Sequence, residues 1–319
     1  PSSPSPRLSP SGNRMMLVAW EDYPSIARVA TPYLRLGGVR VEPKNHSKHD
    51  TPGGYGIPPS ARSYELVRLP DGQSIKVDLP AGGYIGAPIW SADGRQFAFE
   101  RVTSDSVELW VGNAETGAVR QIQGVWLNQM LGNELRWMPD QKTLLVKLVP
   151  EKQGPPPPPP EVPVGPSIQE SIGRKGQSST YETRDTLTNA HDEDLFDYYG
   201  TSQVALVDAT TGAVTRLAGP DRHLQLSPSP DGQQLLVTTL HKPYSYVTTF
   251  DRFPRVVEVS DISQPANIAK HTIKDLPLAD RVPIQGVPLG PRGFMWSPKD
   301  PATLLWSEAL DGGDWNVKV

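Results

Sequence analysis

The sequence predicts an all-β protein, a β-propeller of four-stranded blades carrying one proline-rich insertion. A turn-plus-strand unit returns five times along the chain, and a second hairpin follows most of the copies. Where nothing intervenes, between Asp93 and Asp140, the repeat is 47 residues, inside the range of about 40 to 50 for propeller blades. The 35 prolines and 28 glycines are spread throughout, and helices do not run long through such punctuation. A β-sandwich with coincidental turns is the competing reading.

The unit is an apolar residue, a Ser-Pro-Asp-Gly-like turn, two polar residues and a short apolar strand. It reads Leu8-Ser9-Pro10-Ser11-Gly12 before Met15 to Val18, and Trp90-Ser91-Ala92-Asp93-Gly94 before Phe97 to Phe99. It returns at Trp137-Met138-Pro139-Asp140 before Leu144 to Val146, and at Ser229-Pro230-Asp231-Gly232 before Leu235 to Val237. The fifth copy is Trp296 to Asp300 before Leu304 to Trp306. Proline presets φ at the second turn position and Asp-Gly supplies the reversal, so each copy is a hairpin. Second hairpins turn at Pro70-Asp71-Gly72, at Glu115-Thr116-Gly117 and at Thr210-Thr211-Gly212. The fifth copy continues through the turn Asp311 to Asp314 into Trp315 to Val319 and stops short of a fourth strand. An open ring leaves unpaired strand edges. Residues 1–319 therefore read as an incomplete propeller of about five blades, and the natural chain is expected to continue.

Residues 150–200 interrupt the third blade between its two hairpins. The run Pro155 to Pro160 must be polyproline II, spanning roughly 19 Å at about 3.1 Å per residue. It reads as a spacer rather than an SH3-type ligand, because only Lys152 stands near it as a cation. Residues 151–180 are expected to be extended or mobile. Farther on, His191 to Tyr199 suits a short helix with Asp192 and Glu193 in its first turn and Leu195, Phe196 and Tyr199 as its buried stripe. A calcium or zinc site is the alternative, but the EF-hand glycine and ligand spacing are missing. His46, His49 and Asp50 lie between Pro43 and Gly54, where proline and glycine deny a helix, so a solvated loop is expected rather than a metal site. No metal and no cofactor is expected. The tryptophans at 90, 110, 137 and 296 occupy repeated strand positions and read as blade-to-blade packing.

With 37% apolar residues the chain can bury a sizeable core. Its net charge of -4 provides no footprint for nucleic acid or an anionic membrane surface. The longest apolar run, Met15 to Trp20, is far short of the about 20 residues that span a bilayer. There is no cysteine, so disulfides and thiolate sites are excluded and the redox compartment stays open. The start Pro1 to Pro10 has neither the basic nor the apolar part of a signal peptide. A processed, exported protein, periplasmic or secreted, is the expectation, with the cytoplasm as the alternative.

The Ser-Pro-Asp-Gly copies alone resemble TolB-like propellers. More specific are Leu240-His241-Lys242-Pro243-Tyr244-Ser245-Tyr246, followed by Arg252-Phe253-Pro254 and Val257-Glu258-Val259, and Asp194 to Tyr199 with Ser202-Gln203. With Leu36 to Val41, Leu276 to Ala279 and Leu310 to Asp314, these segments resemble, in the same order, the propeller of glutamyl endopeptidases in the prolyl oligopeptidase family. The resemblance implies a propeller of about seven blades and, beyond residue 319, an α/β-hydrolase domain with a serine nucleophile in a Gly-x-Ser-x-Gly elbow. It implies peptide substrates and cleavage after glutamate. This chain holds no such elbow: Gly200-Thr201-Ser202-Gln203-Val204 and Gly72-Gln73-Ser74-Ile75-Lys76 both fail at their last position. No catalytic residue is assigned within it, and the reading is a propeller that gates and sieves peptides for its own hydrolase domain. A substrate carboxylate needs a cation. Arg252 is the first substrate-binding candidate, with Tyr244 beside it and Arg40 second, against the possibility that Arg252 and Arg255 are solvated or pair with Asp251 and Glu258. A free-standing TolB-like binding propeller is the alternative function.

Overall fold

Each repeated turn is held by its own side chains. Ser91 Oγ donates to Asp93 Oδ1 at 2.6 Å and accepts the Gln96 N–H at 3.0 Å, while Asp93 Oδ1 accepts the Arg95 N–H at 3.0 Å. The same bonds recur around Ser229 and Asp231, where Oγ accepts from Gln234 at 2.9 Å and the carboxylate accepts from Gln233 at 3.0 Å. Gly94 and Gly232 follow with φ of +69° and +72°, a conformation that costs glycine nothing. In the third copy Gln141 takes this position at φ +59°. Its side chain compensates by donating to the Met138 and Pro139 carbonyls at 3.3 and 3.0 Å.

The computed structural model describes residues 4–50, 56–132, 135–160, 184–280, 282 and 287–313. The turns link strands into antiparallel meanders, the blades of a β-propeller. The first blade is Ser5–Leu8, Arg14–Trp20, Ala61–Arg68 and Ser74–Lys76. The second is Ile89–Trp90, Gln96–Val102, Val107–Asn113 and Val119–Trp126, with Tyr84–Ile85 also paired to the long strand from Gln96. The third is Arg136–Trp137, Thr143–Leu148, Gln203–Asp208 and Val214–Arg216, and the fourth is His223–Pro228, Gln234–Leu240, Arg255–Asp261 and Ala269–Leu276. Arg292–Trp296 and Leu304–Ser307 form a two-stranded fifth sheet. The expected second hairpins are present, in registers that pair Glu65 with Lys76, Val111 with Arg120 and Ala205 with Arg216. The expected strand from Trp315 to Val319 and the stretch 161–180 lie outside the described residues.

In such a meander the Ser-Pro-Asp-Gly turn and the third-to-fourth-strand turn share one end of the blade. The second-to-third connection lies at the other. That other end carries the elaborations: residues 21–60 in the first blade, 149–202 in the third and 241–254 in the fourth.

By packing, the chain divides into two units, Pro1–Leu34 with Val41–Pro150 and Gln203–Gly219, and Arg35–Arg40 with Glu151–Ser202 and Pro220–Val319. In the first unit, Met16, Val18, Tyr64, Phe97 and Phe99 make a fully buried cluster between the first two blades, against which Trp90 and Trp110 pack. Indole N–H groups tie blade to blade: Trp90 donates to the Arg7 carbonyl at 3.3 Å and Trp137 to the Ile89 carbonyl at 3.2 Å. In the second unit, Trp296 of the fifth sheet donates to the Ser227 carbonyl of the fourth blade at 2.8 Å.

The stretch after Pro43 corrects one expectation. His49 and Asp50 are buried and His46 is half-buried, so this is no solvated loop. Glu42, itself buried, is the reason. Its Oε1 meets Arg28 and lies 3.0 Å from His49 Nδ1, and its Oε2 accepts from Asn45 at 3.1 Å. Tyr33 stacks on His49 at 4.3 Å. Burial alone pulls the His46 pKa down to about 4, so the ring is neutral at pH 7. The partners Arg28 and Tyr33 come from outside the histidine-bearing stretch, which is why local composition misled.

Candidate functional site

Within the second unit, three of the segments that carry the family-like sequence converge. At Leu36-Gly37-Gly38-Val39, both glycines have positive φ, +60° and +91°. Gly37 accepts the Phe250 N–H at 2.8 Å, and Gly38 donates to the Asp185 carbonyl at 2.8 Å. A Cβ on Gly38 would fall 2.5 Å from Thr249 Cγ2, so only glycine permits this approach.

The helix spans Ala190–Gly200, and the Asn189 side chain caps it by accepting the Asp192 N–H at 2.9 Å. Phe196 and Tyr199 are buried as expected, and Leu195 is half-buried. Phe196 meets the connection after Leu240: its ring is edge-on to Tyr244 at 5.1 Å and to Phe253 at 5.5 Å, and those two stack on each other at 5.0 Å. Gly37 abuts the same ring, with a would-be Cβ 3.1 Å from Phe196. Three connections thus share one aromatic nucleus.

Charge is organised around this nucleus by the helix. Glu193 and Asp197 stand one turn apart on one face. Lys242 lies 3.1 Å from Glu193 and 3.4 Å from Asp197, Arg222 lies 3.4 Å from Asp197, and the Tyr246 hydroxyl donates to Glu193 at 2.8 Å. The Tyr244 hydroxyl donates to Asp197. Burial first, and that bond second, hold the Tyr244 hydroxyl well above the ordinary phenol range. Burial works against the Lys242 charge, but Glu193 and Asp197 outweigh it and raise its pKa.

Of the predicted substrate-binding residues, Tyr244 lies in the nucleus, buried with its hydroxyl committed to Asp197. Arg40 is committed to Asp185, at 2.6 Å, beside Arg35 at 3.5 Å from the same carboxylate. Arg252 sits in the 3-10 turn Phe250–Arg252, half-buried, donating its N–H to the Thr249 carbonyl at 3.0 Å and accepting from Ala279 at 2.9 Å. Arg255 braces that turn, donating to the carbonyls of Phe253 at 3.1 Å, Phe250 at 3.3 Å and Asp251. It uses the backbone of Asp251, and Glu258 faces Thr272 and Lys270 instead, at 3.3 and 3.9 Å. Sequence reasoning missed Asp197, Arg222, Lys242 and Asp185. The four-residue spacing of Glu193 and Asp197 was the available signal, since two carboxylates on one helix face call for cations opposite.

Ser202 and His223 are also adjacent, with Oγ 3.4 Å from Nδ1, but that nitrogen lies 3.0 Å from the Ser202 carbonyl. A ring N–H donated to a carbonyl is not a base toward the hydroxyl, and both residues are buried. This pair is architectural.

No family model matches the chain. Over its entire length it is 33% identical to the probable chloroplastic glutamyl endopeptidase of Oryza sativa subsp. japonica and 34% identical to that of Arabidopsis thaliana. The likeness to these endopeptidases runs from end to end of this chain. The chain spans about a third of those relatives, 34% and 33% of their lengths. Among solved structures, the Pyrococcus horikoshii acylaminoacyl peptidase aligns with 86% of this chain and 33% of its own, at 11% identity and a TM-score of 0.43.

Proposed function

We propose that this chain is the non-catalytic propeller of a serine endopeptidase that prefers to cleave after glutamate, and that it gates and sieves peptide substrates for an α/β-hydrolase domain encoded beyond residue 319. The observation that carries the reading is the match of the whole chain, at 33 to 34% identity, to relatives named glutamyl endopeptidase that are about three times as long. The convergence of the family-like segments at the connection end of the blades supports it, because loops on a rigid scaffold are where binding resides. The ring is completed by further blades, about seven in all. The fifth sheet supports this: it packs Trp296 and Leu304 on the fourth blade and leaves Met295 and Leu305 exposed.

Arg252 is the propeller cation that meets the substrate carboxylate, with Tyr244 and Arg40 shaping the surrounding segments. Charge-assisted hydrogen bonds contribute about 1.5 to 3 kcal/mol, equivalent to roughly 10- to 100-fold in rate. In the full-length enzyme, Arg252→Met should reduce the preference for Glu over Gln at the cleaved bond by that factor, with folding verified by circular dichroism. An unchanged ratio assigns charge recognition elsewhere, and a full-length chain that cleaves nothing returns the free-standing binding propeller to first place.

A further inference from the structure

The second-to-third connection of the fourth blade, residues 241–254, leaves and re-enters the sheet at a neck. There the His241 N–H donates to the Pro254 carbonyl at 3.0 Å, and the Leu240 N–H donates to the Arg222 carbonyl at 2.9 Å. The second limb of the connection is anchored through its backbone and its rings: the Phe250 N–H reaches the Gly37 carbonyl, Phe253 lies in the aromatic nucleus, and Arg255 braces the turn between them. In the first limb the Lys242, Tyr244 and Tyr246 side chains reach the helix. The His241 ring joins the backbone of that limb to the outer strand of the blade, Ala269–Leu276.

Both nitrogens of this ring face acceptors. Nδ1 lies 2.7 Å from the Lys242 carbonyl, and Nε2 lies 2.9 Å from Asp275 Oδ1. Neither a carbonyl nor a carboxylate has a proton to give. Only the imidazolium, with an N–H on each nitrogen, donates to both. A neutral ring has a single N–H and sets the lone pair of its other nitrogen against an oxygen lone pair. The contacts are therefore those of a charged ring. Burial opposes the charge first and Arg222 repels it, but the Lys242 carbonyl and Asp275 outweigh them and raise the pKa. The charged groups around the ring also include Asp221, 3.3 Å from Arg222, and Glu193 and Asp197, which hold Lys242. Carboxylates, guanidinium and ammonium keep their charge between about pH 6 and about pH 8.5, so of these groups the ring alone changes.

We propose that His241 is a proton-operated clamp on the first limb of this connection. Charged, it ties the limb to the outer strand. On losing its proton it lets go of one of its two oxygens, and the limb that carries Lys242 and Tyr244 loosens at its base while the second limb stays in place. The fold favours the charged ring, so the tie is complete below about pH 6.5 and is lost as pH rises through the raised value. Peptides are then held less well above the transition than below it. That effect rests on the reading of this chain as a propeller that gates peptides.

Hydrogen exchange of the full-length protein, read by mass spectrometry as protection factors, is the test. Residues 240–247 should lose protection roughly two- to fivefold between about pH 6 and about pH 8.5, and residues 250–255 should not change. His241→Gln should hold the first limb at the less protected level throughout. Asp275→Asn, at a side chain 63% exposed, keeps the ring and removes its carboxylate, so the transition should move to lower pH. Protection of 240–247 that ignores pH, that changes as much in His241→Gln, or that keeps its midpoint in Asp275→Asn overturns the proposal. KM for an acidic peptide should rise over the same range in the wild type and stay level in His241→Gln. An exchange transition in a protein that hydrolyses nothing upholds the clamp and defeats the peptidase reading, whereas hydrolysis without the transition defeats only the clamp.

Discussion

His46 shows how a single ring couples this fold to pH. Its folded pKa is depressed to about 4 by burial, whereas the unfolded ring titrates near 6.5. The unfolded state therefore binds the extra proton first, and stability present above pH 6.5 is lost as pH falls toward 4, by up to about 3 kcal/mol. His46 also adopts φ of +59°, a conformation asparagine tolerates well. His46→Asn should keep the backbone and remove this share of the acid sensitivity. Urea midpoints at pH 7 and pH 4.5 measure it, and an equal acid loss in both proteins would refute the assignment. His241 has the opposite sign. Burial opposes its charge, but the Lys242 carbonyl at 2.7 Å and Asp275 at 2.9 Å outweigh it and raise its pKa. Its contribution is complete below the unfolded pKa and lost as pH rises, and its exposure keeps it small.

At the scale of elements, the helix Ala190–Gly200 binds the insertion to the fourth blade through Asp197. Asp197→Asn leaves Arg222, Lys242 and the Tyr244 hydroxyl facing a weaker acceptor, and should cost about 1 to 3 kcal/mol. Protease cleavage near the ends of this helix should quicken in the variant, and an unchanged digestion pattern would argue that the aromatic nucleus alone holds the helix. The helix was legible in sequence because two of its determinants are local: acids in the first turn and an apolar stripe. The hairpins were legible for the same reason, since the turns carry their own short polar side chains, Ser91 with Asp93 in the second copy and Ser229 with Asp231 in the fourth. The site was legible only as segments. The spacing of Glu193 and Asp197 calls for cations without naming Arg222 or Lys242 as the ones, and nothing near His49 announces Arg28 or Tyr33. Long-range pairing of charges has no periodicity to read, and there the expected solvated loop gave way to a buried cluster.

At the scale of the whole molecule, the proposed function assigns binding and chemistry to different stretches of polypeptide. Purified residues 1–319 should hydrolyse no peptide or ester, because they hold no Gly-x-Ser-x-Gly elbow and, among the described residues, Ser202 and His223 meet only as a buried pair with the ring nitrogen facing a carbonyl. Turnover that disappears when Ser202 is replaced by Ala, in a protein still folded, would reverse that assignment. Blade number in the first four sheets followed from the repeat, while the division of the chain into two units did not. The second unit gathers residues 35–40 from the first blade's connection with the third blade's insertion and the fourth blade, a regrouping set by where apolar rings meet rather than by order along the chain.

The indole bonds between blades carry a direction. Trp90 reaches back to Arg7, Trp137 to Ile89 and Trp296 to Ser227, in every case from a later sheet to an earlier one. During synthesis the acceptor carbonyl is thus always made before its donor. Each of these blades leaves the ribosome onto a surface that already exists and is set against it by one directional bond. In the fourth blade the matching position is Pro228, and in the first it is Leu8. Neither side chain can donate. The first blade has no predecessor among the described residues to receive such a bond, and the fourth begins a new run, after the long insertion has separated the two halves of the third in time.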